Sequence, residues 1–134
     1  MKRLIFLVIA SALLLASCGG SSKPSAADYD LTTKDGVSQY AEAYFTADPN
    51  VDCENVTVNG EDDNMIVLVN LDYFGNKREQ TARENSPAIT NSFMSELEKA
   101  GAPIYEAAFF FDTDFGALKV AYEGFSQSEL VSEF

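Results

Sequence analysis

The chain has 134 residues, of which 46% are hydrophobic and 22% charged, and 9 Lys and Arg against 21 Asp and Glu give a formal net charge of −12. This length suffices for one domain with a core. The acidic excess argues against nucleic acid as a partner, because phosphates are met by clustered Lys and Arg. The chain has no His, which excludes His-based acid–base catalysis, Ser-His-Asp triads and His-ligated metal sites. We therefore predict a protein that is not an enzyme and has no cofactor.

The first eighteen residues have the pattern of an export signal. Lys2 and Arg3 precede an apolar run over residues 4–15, which is shorter than the about 20 apolar residues that a membrane-spanning helix requires. The motif Leu-Ala-Ser-Cys follows at residues 15–18, and it resembles the lipobox of bacterial lipoproteins. The resemblance implies that the thiol of Cys18 carries a diacylglyceryl group and that a peptidase cleaves the chain before this residue.

Cleavage before Cys18 would divide the chain into three parts. We predict a signal peptide over residues 1–17, a lipidated Cys18 with a flexible tether over residues 18–30, and a single domain over residues 31–134. Loss of Lys2 and Arg3 with the signal peptide changes the formal net charge from −12 to −14. Two acyl chains give stable attachment, so we expect the protein at the cell membrane, lipid-anchored on its extracytoplasmic face. Its acidic domain is expected to stand off anionic lipids.

The mature domain begins with a predicted helix from Asp35 to Thr46, because apolar residues recur there with helical spacing. These residues are Val37, Tyr40, Ala41, Tyr44 and Phe45. Two strands are predicted next, over residues 51–58 and 65–73, around a turn at residues 59–64. The second strand is apolar on both faces, as central strands are.

Ser86 and Pro87 resemble the N-cap and first residue of a second helix. Its apolar stripe runs to Ala100, and Gly101 provides a stop signal. In an alternative that the sequence leaves open, residues 77–85 extend this helix upstream with a kink at the proline.

A second hairpin is predicted after this helix, with strands over residues 104–111 and 118–122. The remaining tail contains Ser126-Gln127-Ser128-Glu129, which fits a capping box. The tail is therefore predicted to form one short helical turn that holds Leu130 and Val131.

The order of elements predicts an α+β fold of helix, hairpin, helix and hairpin (αββαββ), with a four-stranded sheet and the helices on one face. The order 1-2-3-4 fits best, because the second and third strands are apolar on both faces whereas the first and fourth alternate. The second helix is then a crossover that makes the inner strands parallel. Other strand orders stay open.

The second face of the two inner strands is the candidate partner-binding surface. In the order above Ile66, Leu68, Ala108 and Phe110 lie side by side on the face that the helices leave uncovered. Exposed apolar strips on soluble domains often mark partner surfaces. The alternative is that the tail or residues 77–85 cover the strip and make it part of the core. We predict a small binding or accessory module of the cell envelope that contacts a protein partner through this strip.

Three other functions remain alternatives at this stage. Residues 61–64 and the pair Asp112 and Asp114 could hold calcium, but neither group has EF-hand spacing, so no metal ligand is assigned. The same carboxylates could serve an envelope hydrolase, which needs one of them buried. The apolar strip could be a homodimer face of a self-associating structural lipoprotein.

Cys53 is the only thiol that remains once Cys18 is lipidated. The adjacent carboxylates of Asp52 and Glu54 disfavour a thiolate, and the chain has no His to accept the proton. We therefore predict that Cys53 packs as a small apolar residue and assign no catalytic residue.

Overall fold

The computed structural model describes residues 23–73 and 79–132. The elements in chain order are a short 3-10 helix (Ala26–Asp28), α1 (Lys34–Thr46), β1 (Val51–Glu61), β2 (Asn64–Tyr73), α2 (Glu79–Lys99), β3 (Ile104–Thr113), β4 (Gly116–Glu123) and β5 (Ser126–Ser132). The predicted signal peptide, Cys18 and the first residues of the predicted tether lie outside the described residues, as do residues 77 and 78 of the alternative helix extension.

All five strands belong to one mixed sheet in the order β1-β2-β3-β4-β5. The central pair, β2 and β3, is parallel, and the other three pairs are antiparallel. α2 connects the parallel strands, because antiparallel hairpins can be joined by tight turns whereas a parallel pair needs a crossover. The order of the first four strands is the one that the sequence favoured.

The predicted fold class is wrong, because the molecule is a five-stranded mixed sheet with two helices and not a four-stranded αββαββ domain. The tail forms β5, in which Leu130 lies opposite Val120 and Val131 lies opposite Lys119. Gly124, with φ of 63°, allows the tight turn from β4 into this strand.

Two physical reasons explain why the tail forms a strand. A single helical turn orders several residues for few hydrogen bonds and is marginal by itself. Pairing with β4 instead satisfies the backbone groups of what would have been an exposed edge. The alternating apolar and polar residues of β4 predicted an edge strand, but β4 is an interior strand. β5 forms the edge of the sheet on this side.

Of the two helix starts that the sequence left open, the N-cap at Ser86 is wrong and the upstream extension is correct for the described residues, because α2 begins at Glu79 and contains Pro87 in its interior. The upstream turns are held by tertiary contacts: Ala82 is fully buried in the core, and Arg83 Nε donates a hydrogen bond to Ser132 Oγ at 3.1 Å. Such contacts offset the hydrogen bond that a proline removes from a helix.

The core lies between the helices and one face of the sheet, and aromatic rings dominate it. Phe93 of α2 is fully buried, with ring centroids 4.9 Å from Phe45 and 5.6 Å from Tyr40 of α1 and 5.9 Å from Phe109 of β3. The Tyr122 hydroxyl donates to Asn91 Oδ1 at 2.5 Å and so also links α2 to β4. Both helices therefore pack against the sheet face that carries Phe109.

Residues 23–33 pack along α1 in the opposite direction to the helix, although the sequence places most of them in the tether. Lys23 Nζ lies 3.3 Å from Asp48 Oδ2 and 4.2 Å from the ring centroid of Tyr44. Further along, the rings of Tyr29 and Tyr40 are 5.3 Å apart. Lys23 is thus located at the C-terminal end of α1, and the segment reaches its N-terminal end.

The N-terminal end of α1 is capped by Thr33, whose Oγ1 accepts a hydrogen bond from the Gly36 amide at 3.0 Å. The predicted apolar stripe of α1 is buried. Within the part of the chain that the structure describes, no helix combines the length and the apolar character needed to cross a membrane.

Candidate functional site

The candidate surface is the sheet face opposite the helices, which we call the open face. Leu68 of β2 pairs with Ala108 of β3, and Ala108 pairs with Ala121 of β4. Ile66 and Phe110 lie on the same face two residues from this row in opposite directions, Ile66 beside Glu106 and Phe110 between Asn70 and Lys119. The four predicted residues, Ile66, Leu68, Ala108 and Phe110, therefore share one face and are referred to below as the apolar patch.

The residues of the apolar patch are not part of the core. Phe110 is 38% exposed, and Ile66, Leu68 and Ala108 are half-buried by their neighbours in the sheet. By contrast Phe109, the neighbour of Phe110 on the other face, is fully buried beneath the helices. Neither the tail nor the described residues 79–85 cover the patch, because β5 continues the sheet and α2 packs on the Phe109 face.

β5 extends the open face by one strand, and the sequence analysis did not predict this strand. Val131 is 40% exposed and lies opposite Lys119, which in turn lies opposite Phe110. Ala121 is the neighbour of Glu129. The sequence has no alternation that marks this strand, because Leu130 and Val131 are adjacent, and the capping-box pattern of residues 126–129 favoured a helix there.

A shallow depression of about 240 Å³ lies on this face between β2 and β5. Its lining combines the apolar side chains of Ile66, Leu68 and Ala108 with the polar side chains of Glu106, Lys119, Glu123, Ser128 and Glu129, and most of its surface is polar. The depression can receive one or a few side chains, and it is smaller than the ~300–1,000 Å³ typical of small-molecule pockets.

Carboxylates surround the apolar patch. Glu106 and Glu123 are paired across β3 and β4 at one end, and Asp72 and Asp112 are paired across β2 and β3 at the other. Glu129 stands beside the patch on β5, where its Oε1 is 3.4 Å from Lys119 Nζ.

Lys119 is the single cation on the described part of the open face. Its Nζ lies 6.0 Å from the ring centroid of Phe110 as well as near Glu129. The face thus has an apolar centre, an acidic border and one partly neutralised lysine.

The two acidic turns of the sequence analysis lie at opposite ends of the sheet. Residues 61–64 join β1 to β2 where β2 begins, whereas Asp112 and Asp114 lie where β3 ends, and these two strands are parallel. The turns consequently cannot combine into one calcium site or one acid pair. Asp62, Asp112 and Asp114 are exposed, and among the described residues no group of three or more Cys, Asp or Glu is arranged to hold a metal ion.

Cys53 is half-buried near the start of β1. Burial raises the pKa of its thiol to about 11, and the carboxylates of Glu42, Asp52 and Glu54 act in the same direction. The environment thus favours the neutral thiol, which is the opposite of what a nucleophilic cysteine needs.

We expect alkylation of Cys53 by iodoacetamide at pH 8 to be roughly a hundredfold slower in the folded protein than in urea, because a thiol of pKa about 11 is about one-thousandth ionised at that pH. The rate should rise about tenfold for each pH unit up to pH 11. Mass spectrometry of the alkylated chain measures it, and a folded-state rate at pH 8 equal to that in urea would contradict the assignment.

Comparison with known proteins gives no relative for this chain: no family model, no curated protein and no solved structure matches it.

Proposed function

We propose that the protein is a lipid-anchored lipoprotein of the extracytoplasmic membrane face and that its domain binds a protein partner of the cell envelope through the apolar patch. The lipid anchor rests on the lipobox resemblance at Cys18. The observation that supports the binding role is that Phe110 is exposed on the open face. The helices pack on the other face of the sheet and do not cover it. Exposed apolar surface with a polar border is typical of partner surfaces.

The charges around the apolar patch favour one kind of partner. Five carboxylates border the patch, and Lys119 is already paired with Glu129. A segment that packs one apolar side chain against the exposed ring of Phe110 and places Lys or Arg side chains among the bordering carboxylates would complement this surface. We therefore propose a partner whose contact segment is basic around an apolar residue.

The same charges disfavour a second copy of the chain as the occupant. A symmetric homodimer presents the same surface from both subunits. If the two open faces met, Glu106 and Glu123 of both copies would be desolvated in one interface beside other carboxylates. Like charges in such positions cost several kcal/mol, so the electrostatics favour a basic partner over self-association.

The test is site-specific photo-crosslinking of the full lipoprotein in its native envelope. A photoreactive phenylalanine analogue replaces Phe110, and in a parallel strain it replaces Gln39, an exposed residue of α1. We expect an adduct from position 110 that is absent from position 39, and a crosslinked peptide rich in Lys and Arg. Equal crosslinking from both positions, or none from position 110, would contradict the proposal.

A pair of substitutions on β3 separates binding from folding. For this comparison the photoreactive residue replaces Val131, which is exposed on the same face. Phe110→Asp removes the exposed aromatic ring and adds like charge to the border, so we expect it to reduce recovery of the partner crosslinked from position 131 at least tenfold. Tyr105→Asp introduces the same charge at the other exposed aromatic residue of β3 and should leave recovery unchanged. Circular dichroism of both purified variants checks that they fold, and equal recovery from two folded variants would exclude the patch.

A further inference from the structure

The segment that precedes α1 gives the domain a defined exit point. Asp48 is buried, with 8% of its side chain exposed, and Lys23 Nζ makes an ion pair with it while also lying over the ring of Tyr44. Ala26 and Tyr29 add apolar packing against the core. Lys23 is therefore attached to the domain at the C-terminal end of α1.

That end of α1 coincides with one pole of the sheet. β1 begins at Val51, three residues beyond Asp48, and Val51 pairs with Tyr73 at the end of β2. β3 ends at the same pole, because it is parallel to β2 and continues into the turn at residues 113–116. The β1–β2 turn lies at the opposite pole, where Lys34 Nζ donates to the Gly60 carbonyl at 2.8 Å.

We propose that Lys23 fixes which pole of the domain faces the membrane. The inference rests on the proposed lipid anchor at Cys18. Five peptide units join Cys18 to Lys23, which limits the span between them to about 18 Å. With the anchor in the lipid and Lys23 held at Asp48, the pole that carries the β3–β4 turn is proximal to the membrane and the β1–β2 turn is distal.

This orientation places the open face at the side of the domain. The strands then run away from the membrane, and β3 with its ten residues extends over about 30 Å. The apolar patch consequently faces laterally, within reach of a neighbouring protein at the membrane surface. Among the described residues near the proximal pole, Asp72 and Asp112 would repel anionic headgroups.

Loss of the Lys23 contact would release this arrangement. The next points of attachment are Ala26 and Tyr29, which lengthens the free chain to eight to eleven peptide units and its maximal span to about 29 to 40 Å. A tether of that length lets the domain turn relative to the membrane.

The experiment uses the full lipidated chain in liposomes whose headgroups carry an energy-transfer acceptor. A donor dye is attached at Ala117→Cys, beside the β3–β4 turn, or at Asp63→Cys in the β1–β2 turn, both in a Cys53→Ala background. We expect transfer from position 117 to exceed that from position 63 at least twofold, because the two positions are about 30 Å apart along the strands. Lys23→Ala should bring the ratio close to one.

Lys99→Ala is the matched control, because it removes the same charge from a largely exposed lysine whose ion pair among the described residues is with Glu96. It should keep the wild-type ratio. Flotation of the chain with the liposomes is read first: a chain that does not float overturns the lipid anchor and the orientation together. A chain that floats but shows equal transfer from both positions, or a ratio unaffected by Lys23→Ala, overturns the orientation alone.

Discussion

Phe93→Ala is expected to lower the free energy of unfolding by about 3 to 5 kcal/mol, the range measured for buried Phe truncations. Phe93 is fully buried, and its ring contacts those of Tyr40, Tyr44, Phe45 and Phe109. Truncation removes a side chain whose contacts join α1, α2 and β3, and these helices cannot close the cavity without losing their other contacts. Because domains of this size are stable by roughly 5 to 15 kcal/mol, the effect is a large part of the total.

Urea denaturation followed by circular dichroism measures this loss, with Phe110→Ala as the matched control. Phe110 lies one residue from Phe109 on the same strand but is 38% exposed on the open face. Its truncation should cost about 1 to 2 kcal/mol, since more than a third of the side chain is already exposed and no enclosed cavity is left. Equal losses for Phe93→Ala and Phe110→Ala would mean that both sheet faces are core, which would contradict the proposed binding surface.

Gly36→Ala is expected to destabilise the protein by about 3 kcal/mol, at the upper end of overpacking costs. In most helix interiors the same change stabilises by up to about 1 kcal/mol. Here a Cβ atom at residue 36 would lie 1.8 Å from the carbonyl oxygen and 2.6 Å from the carbonyl carbon of Asp30. Both are backbone atoms, so residues 23–33 would have to move away from α1.

Gln39→Ala on the exposed side of α1 is the control, and we expect it to change stability by less than about 0.5 kcal/mol. Urea denaturation of the two variants measures the difference. If Gly36→Ala were neutral or stabilising, the close packing of residues 23–33 against α1 would be wrong, and the exit point at Lys23 would lose its support.

The elements that the sequence predicted well are those whose burial follows a local period. The stripe of α1 and the alternation of Met65, Val67, Val69 and Leu71 repeat at 3.6 and 2 residues, and the structure buries both sets. Alternation also predicted which residues share the opposite face of the sheet once the two strands are adjacent. These residues are Ile66, Leu68, Ala108 and Phe110.

The predictions that failed depended on partners distant in sequence. Ser86 and Pro87 have the pattern of a helix start, but the burial of Ala82 extends α2 past them. Residues 126–132 contain a capping box, yet the unpaired edge of β4 makes them a strand. In both cases the local signal is worth about 1 kcal/mol, which tertiary contacts readily exceed.

The sequence by itself determined the acidic charge, the lipobox pattern at Cys18, and the helical and strand periods that select one buried face for each main element. Only the tertiary structure decided the fifth strand, the length of α2, and the attachment of Lys23 to Asp48 across 25 residues. The division has a physical reason: periodicity is a property of neighbouring residues, whereas the pairing of an edge strand or an ion pair depends on which surfaces the folded chain brings together.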